Sequence, residues 1–129
     1  MNDFNFELVS PERVLLSSRV EHVVLPGIEG QLGVLPGHLP SLVILKPGIV
    51  CVLSGTSVVS RYYVRGGFVD ISTSDTVVLA EHAFSIESAN RDLIGSEIIL
   101  AEDKLRKSDD VRSYFSAQSS LDCLKPVQF

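Results

Sequence analysis

Polar and apolar positions along this chain follow two different periods. Phe4, Phe6 and Leu8 alternate with Asp3, Asn5 and Glu7, which is the period of a strand with one face buried. Ser10-Pro11-Glu12 ends that run. Short apolar runs then recur at Val14 to Leu16, Val20 to Leu25, Leu42 to Leu45, Ile49 to Leu53, Val58 to Val64, Phe68 to Ile71 and Thr76 to Ala80. Turn signals separate them: Lys46-Pro47-Gly48, Ser54-Gly55-Thr56-Ser57, Gly66-Gly67 and Ser72 to Asp75. This punctuation predicts about eight to ten short strands with no helix between them. A two-layer antiparallel sandwich or flattened barrel is expected rather than a parallel sheet, because parallel strands need long crossovers that the region lacks.

After residue 84 the period changes. Ile94, Ile98, Ala101 and Leu105 recur at spacings of four, three and four, which puts them on one helix face. Ser85 or Ser88 offers a cap for this helix, and Gly95 weakens it by about 1 kcal/mol relative to Ala. Ser108-Asp109-Asp110 interrupts the pattern and offers caps for a second helix that carries Val111, Tyr114, Phe115 and Leu121 and stops at Pro126. The expected fold is therefore mainly β with a C-terminal α part. A β-sandwich domain over residues 1–84 is followed by a helical arm over residues 85–129.

One stretch fits neither period. Leu25 to Pro40 holds four of the nine glycines and three of the six prolines, a backbone committed to turns rather than to a helix or a continuous strand. Gly27, Gly30, Gly33 and Gly37 allow positive φ, Pro26, Pro36 and Pro40 fix φ near a turn value, and Leu32, Val34, Leu35 and Leu39 are expected to anchor the stretch by burial. It reads as a shaped loop and not a tether. On spacing alone it serves equally as a connection that turns a corner between two sheets.

Composition narrows what such a loop can serve. A chain of 129 residues with 45% hydrophobic and 21% charged content suits one compact soluble domain. Its net charge of -5, with 11 scattered Lys and Arg, argues against nucleic acid as a partner. No run approaches the roughly 20 apolar residues of a membrane span, and the first residues have neither a positive start nor an apolar leader, so a cytoplasmic protein is expected. Cys51 and Cys123 lack metal-ligand spacing and are expected to stay reduced, Cys51 as a small core residue and Cys123 as an incidental thiol. His22, His38 and His82 form no HxH or HExxH pattern. His22 reads as a strand-face residue, His82 as a residue that caps or pairs locally, and His38 alone falls in the shaped loop. There is no GxSxG, no phosphate loop and no paired carboxylate motif. The residues thus point to no catalytic group, no cofactor and no metal, but to a domain that presents a loop and a helical arm to other proteins.

Four blocks carry a closer resemblance: Phe6 to Glu12, Glu29 to Pro40 with its GxLGxxPGHxP pattern, Leu45 to Gly48, and Val64 to Ile71. In order and spacing they resemble the epsilon-subunit family of the F-type rotary ATP synthase, strongly over about residues 4–84 and only in kind beyond. The resemblance implies a flattened sandwich of ten strands followed by a two-helix hairpin. It also implies a non-catalytic rotor subunit of the central stalk, which couples rotation of the proton-driven c-ring to ATP synthesis in another subunit. Its partners would be the gamma subunit, bound through the sandwich, and the polar loops of the c-ring, touched by Ile28, Glu29, Gly30, Gln31, Leu32, Gly33 and His38 on a loop shaped by Gly27, Pro36, Gly37 and Pro40. The chain would lie on the cytoplasmic face of the bacterial inner membrane, peripheral to it only through the complex. Where the family often has a carboxylate, this sequence has Gln31, which leaves Glu29 to carry the loop's negative charge.

For the arm the resemblance implies a weaker role. Relatives that bind ATP here open the first helix with Ile/Leu-Asp-x-x-Arg-Ala, and the nearest match is Ile86-Glu87-Ser88-Ala89-Asn90-Arg91, with Asn90 in place of the arginine. Arg91 would point about 100 degrees around the helix from that position. From Ser108 onward only Arg112 and Lys125 stand against Asp109, Asp110 and Asp122, so attraction to an acidic catalytic beta subunit would be small. A poor ATP sensor and at best a modest brake on hydrolysis are expected. Two other readings remain, a cupin-like metal enzyme, which the histidine spacing opposes, and a free-standing adaptor, which leaves the four blocks unexplained.

Overall fold

Alternation along the first strand is realised directly in burial. Phe4, Phe6 and Leu8 are buried while Asn5 and Glu7 are exposed, and Val50 and Val52 or Val69 and Ile71 repeat the pattern further on. The computed structural model describes residues 3–88 and 91–127. Ten strands come first: β1 (Phe4–Val9), β2 (Val14–Val20), β3 (His22–Gly27), β4 (Gly30–Val34), β5 (Ser41–Leu45), β6 (Gly48–Ser54), β7 (Ser57–Val64), β8 (Gly67–Ile71), β9 (Asp75–Ala80) and β10 (Ala83–Ser85). Two helices follow, α1 (Arg91–Lys107) and α2 (Val111–Leu124), with a short 3-10 turn over Lys125–Val127. Pro126 therefore sits inside that turn, and the α-helix ends before it at Leu124.

All ten strands join one sheet, in the order β10-β7-β6-β3-β5-β8-β9-β1-β2 with β4 on the free edge of β3. The sheet folds over itself, and β2 returns to pack on β6 and β10, which closes the layers around one core. Neighbouring strands are antiparallel with one exception. β1 runs parallel to β9, with Phe6 opposite Thr76 and Leu8 opposite Val78. The crossover that parallel strands require is present after all; it is the rest of the sandwich, and no local run could reveal it.

Two strands were hidden from the sequence pattern. β10 is only Ala83–Ser85 and completes the edge beside β7, so the sheet ends at Ser85. β4 lies inside the glycine-rich stretch, where a loop was expected. Its residues pair antiparallel with β3 from Val23–Val34 down to Gly27–Gly30, so the stretch is largely a β-hairpin. Extended glycines keep their N–H donors and enter a ladder normally, and the proline of β3, Pro26, sits where that strand leaves β6 and passes to β5.

The helical part packs through a second cluster. Ile94, Ile98 and Ala101 are buried with Leu105 packed beside them, as the spacing predicts, and they meet Tyr63, Phe84 and Ile86 of the sandwich. On α2 the buried stripe is different from the expected one. Ala117, Ser120, Leu121 and Leu124 face inward, while Val111, Tyr114 and Phe115 are 70%, 48% and 63% exposed. The small side chains of Ala117 and Ser120 let α2 approach closely, which leaves the bulky residues of its first turns outside. Asp110 caps α2 as expected, its carboxylate accepting from the Ser113 N–H at 2.7 Å, and this bond holds the carboxyl below its usual pKa.

Candidate functional site

The glycine-rich stretch is organised as a hairpin and a turn. Ile28 and Glu29 are the two residues of a tight loop between β3 and β4, and both are exposed. Gly30, with φ +136°, opens β4 in a conformation that a side chain would resist, and a Cβ on Gly27 would lie 2.7 Å from the Gly30 carbonyl oxygen. Gln31 is exposed, Leu32 half-buried and Gly33 exposed along β4. Of the four glycines that allow positive φ, Gly30 and Gly37 use that freedom, while Gly27 and Gly33 keep to negative or extended backbone.

The turn stands at the other end of β4. Leu35-Pro36-Gly37-His38 closes with the His38 N–H on the Leu35 carbonyl at 3.2 Å, with Pro36 at the second position and Gly37 at φ +80° at the third, the residues that a type II turn requires. His38 is half-buried, its Nδ1 2.8 Å from the Leu39 carbonyl oxygen. Pro40 then leads into β5. A strand of this length separates His38 from the Ile28-Glu29 tip by about 15 Å, so the structure does not bring them to one point. β4 pairs only with β3, however, and its open edge joins the two ends into one strip.

Burial corrects the expected anchors. Val34 is buried and Leu32 packs against the core, but Leu35 is 56% and Leu39 78% exposed. They border a larger apolar surface. Leu42 and Ile44 on β5, Phe68 on β8 and Leu79 on β9 point outward, and the ladder sets Ile44 beside Phe68 and Phe68 beside Leu79. Side chains of this size exposed together mark a face that another surface covers.

A third feature joins the arm to the sandwich. Glu97 of α1 is buried, and its Oε2 accepts from Arg65 Nε at 2.8 Å and from the Tyr63 hydroxyl at 3.1 Å, while Oε1 accepts from Arg65 Nη2 at 3.2 Å. The Tyr63 proton is thus committed to the carboxylate. The Ser120 hydroxyl, 3.0 Å away on α2, must be the donor to Tyr63 Oη. Burial raises the Tyr63 pKa and the Glu97 bond raises that of Arg65. The His82 ring faces the same carboxylate, Nε2 to Oε1 at 3.6 Å, so it looks across the interface to α1 and not to a local partner as expected. His22 lies half-buried on β3, against the position that a Gly33 Cβ would fill. Nothing in a motif announced the Glu97 cluster, although a glutamate on the Ile94, Ile98 and Ala101 face was a signal for it.

The remaining reactive candidates do not converge. Among the described residues no group of three or more His, Cys, Asp or Glu could hold a metal ion. Cys51 is half-buried on the face opposite Val50 and Val52 and not in the core, with burial raising its pKa. Cys123 is half-buried at the arm interface, where burial pushes its thiol up to about 12. Ala89 and Asn90 and the side chain of Arg91, on which the ATP-motif comparison turns, lie outside the described residues. No described helix is long and apolar enough to cross a membrane.

Residues 3–86 match the family model of the ATP synthase delta/epsilon chain β-sandwich domain. The ATP synthase epsilon chain of Hyphomonas neptunium is 45% identical over 105 residues, covering 81% of this chain and 78% of its own. That of Parvibaculum lavamentivorans is 40% identical over 126 residues, 96% of this chain and 94% of its own, so the likeness runs through the arm. In the cryo-EM structure of the Euglena gracilis mitochondrial ATP synthase assembly of OSCP, F1 and c-ring, one chain superposes with a TM-score of 0.70 at 23% identity, over 97% of this chain and 79% of that one. A chain of the Tetrahymena thermophila mitochondrial ATP synthase central stalk and c-ring does so at 0.66 and 13% identity, over 98% and 96%. At those identities the two structures speak for the fold.

Proposed function

This chain belongs to the ATP synthase delta/epsilon family, and we propose that it works in that enzyme as a non-catalytic rotor subunit of the central stalk. It couples rotation of the c-ring, through gamma, to ATP synthesis in another subunit. The observation that carries this reading is the β3–β4 hairpin, a two-residue tip on the end of a closed sandwich. A contact that transmits torque needs a stiff mount, and the ladder supplies it. Ile28, Glu29, Gly30 and Gln31 at the tip, continued by Leu32 and Gly33 along the open edge to His38, form the strip that meets the polar loops of the c-ring. Gly27, Pro36, Gly37 and Pro40 set its shape. Gamma covers the apolar face of Leu42, Ile44, Phe68 and Leu79. The chain then resides at the cytoplasmic face of the bacterial inner membrane, peripheral and held there by the complex. The sandwich, which runs on through β10 to Ser85 and not only to residue 84, carries both contacts, and the helical arm that follows acts at most as a modest brake through the catalytic beta subunit.

Two substitutions test the strip in the assembled enzyme. Glu29→Lys reverses the charge at the tip, and Gly30→Val forces a branched side chain onto φ +136°. Both should lower ATP-driven proton pumping while the subunit still copurifies with gamma. Normal pumping by both variants in correctly assembled complexes would remove the hairpin from the ring contact.

A further inference from the structure

The outward stripe of α2 does not look into open solvent along its length. Arg112, Phe115, Ser116 and Ser119, spaced as one helix face, form one wall of a cleft of about 700 Å³ whose other wall is the end of the sandwich. Ile28 of the hairpin tip, Ile44 of β5 and Lys46 of the β5–β6 turn stand opposite. Ile28, Ile44 and Phe115 are 56%, 59% and 63% exposed, so the apolar part of the cleft is unfilled.

Charge narrows the occupant. Each wall brings one cation, Lys46 from the sandwich and Arg112 from the arm. Arg65 at the back is engaged by Glu97, and Glu81 is the carboxylate left among the lining residues, so the cleft is positive in a chain whose net charge is -5. A partner segment that suits it carries an apolar side chain beside carboxylates. Continuity narrows the occupant again, because Ile44 lines the cleft and also lies beside Phe68 on the outer apolar face.

We infer that the partner covering the β5–β8–β9 face, gamma on the rotor reading above, extends an acidic and apolar segment into this cleft and seats it between Ile44 and Phe115. The consequence is a coupling. The cleft exists only while α2 lies against the sandwich, so a partner that fills it holds the arm packed, and a packed arm in turn tightens the partner. The inference rests on the rotor reading, but it fails separately from it.

The test uses the full chain and purified gamma. A photo-cross-linking amino acid at position 115 should join the chain to gamma. Phe115→Ala and Arg112→Glu, both at exposed positions, should each weaken gamma binding about tenfold, a loss typical of a buried interface anchor, and the Arg112→Glu effect should shrink with added salt. Gamma should also slow amide exchange across residues 111–119. Unchanged affinity in both variants with no cross-link, while Phe68→Asp loses gamma, overturns the inference and leaves the apolar face intact as a docking site. If Phe68→Asp binds gamma normally, the face itself is misassigned and the inference falls with it.

Discussion

Arg65, the residue just after β7, and Glu97, in the middle of α1, are joined by two hydrogen bonds of 2.8 and 3.2 Å across 32 residues of sequence. With the Tyr63 and Ser120 hydroxyls beside them, they connect sandwich, first helix and second helix through one buried carboxylate. A buried charge that keeps its partners costs little, but one that loses them costs much. Glu97→Ala would leave the Arg65 guanidinium and the Tyr63 hydroxyl without their acceptor. The packed arm should then be weakened by roughly 2–3 kcal/mol, the price of stranding charged and polar groups at a partly covered site. Amide exchange should rise across α1 and α2 and stay slow in β6 and β8. Exchange that rose equally in both regions, or in neither, would show that the cluster does not hold the arm.

The two apolar clusters have no side chain in common, and this bears on whether the sandwich stands alone. Phe6, Leu25, Val50 and Val69 belong to the sandwich core, whereas Tyr63, Phe84 and Ile86 pack with α1 and α2. The Ile86 N–H still bonds the Arg61 carbonyl, and Glu87 accepts from the Arg61 backbone and side chain, so the sandwich is tied as far as Glu87. A chain ended after Ser88 should therefore keep a cooperative unfolding transition by circular dichroism, at a reduced midpoint because the second cluster is lost. A non-cooperative melt would mean that the arm is part of one indivisible core.

The strands were legible where one face is buried and the other is wet, as in Phe4, Phe6 and Leu8 against Asn5 and Glu7. β4 was not, because Gly30, Gly33 and the flanking prolines carry the composition of a loop, while its pairing depends on backbone groups that composition does not report. Leu35 and Leu39 misled for a different reason. An exposed apolar residue reads in sequence like one that fills the core, and only its exposure in the fold tells them apart. On α2 the expected stripe of Val111, Tyr114, Phe115 and Leu121 kept only Leu121, because the small pair Ala117 and Ser120 lets another face of the helix pack inward. The tip residues of the candidate site were legible through the family pattern. The Glu97 cluster was assembled by the fold from three distant segments, and no local spacing encodes it.

Two glycines should respond in opposite directions to the same change. Gly67 has φ +132°, and a Cβ there would overlap the Leu79 carbonyl oxygen and lie 2.9 Å from Ala80 Cα, both backbone atoms of the paired strand β9. Gly67→Ala should cost about 3 kcal/mol or more through strain and a broken ladder. Gly95 lies in α1 with nothing within 4 Å of an added Cβ. Gly95→Ala should stabilise the arm by about 0.5–1 kcal/mol through helix propensity. Urea unfolding of the two variants measures both; a neutral Gly67→Ala would contradict the close approach of β8 and β9.

Alkaline pH should release the arm before it unfolds the sandwich. Cys123 and Tyr63 both lie at the arm interface, where burial raises the thiol from 9.0 to about 12 and raises the phenol above its ordinary 10.0. Each group therefore holds its proton more tightly in the packed state than in the released one. As pH rises, the released state gives up protons first, so the packed state loses relative stability. Packing is at full strength below about pH 9, weakens as pH climbs from there towards 12, and the loss begins with the thiol. Cys123→Ser removes the earlier titration and should move the onset up to the ordinary tyrosine range near 10. Tyrosinate absorbance would follow Tyr63, and amide exchange across residues 111–124 would follow the arm. Release at the same pH in the wild type and in Cys123→Ser would show that the thiol does not contribute, and an arm that stayed protected to pH 12 would rule out both groups as its alkaline trigger.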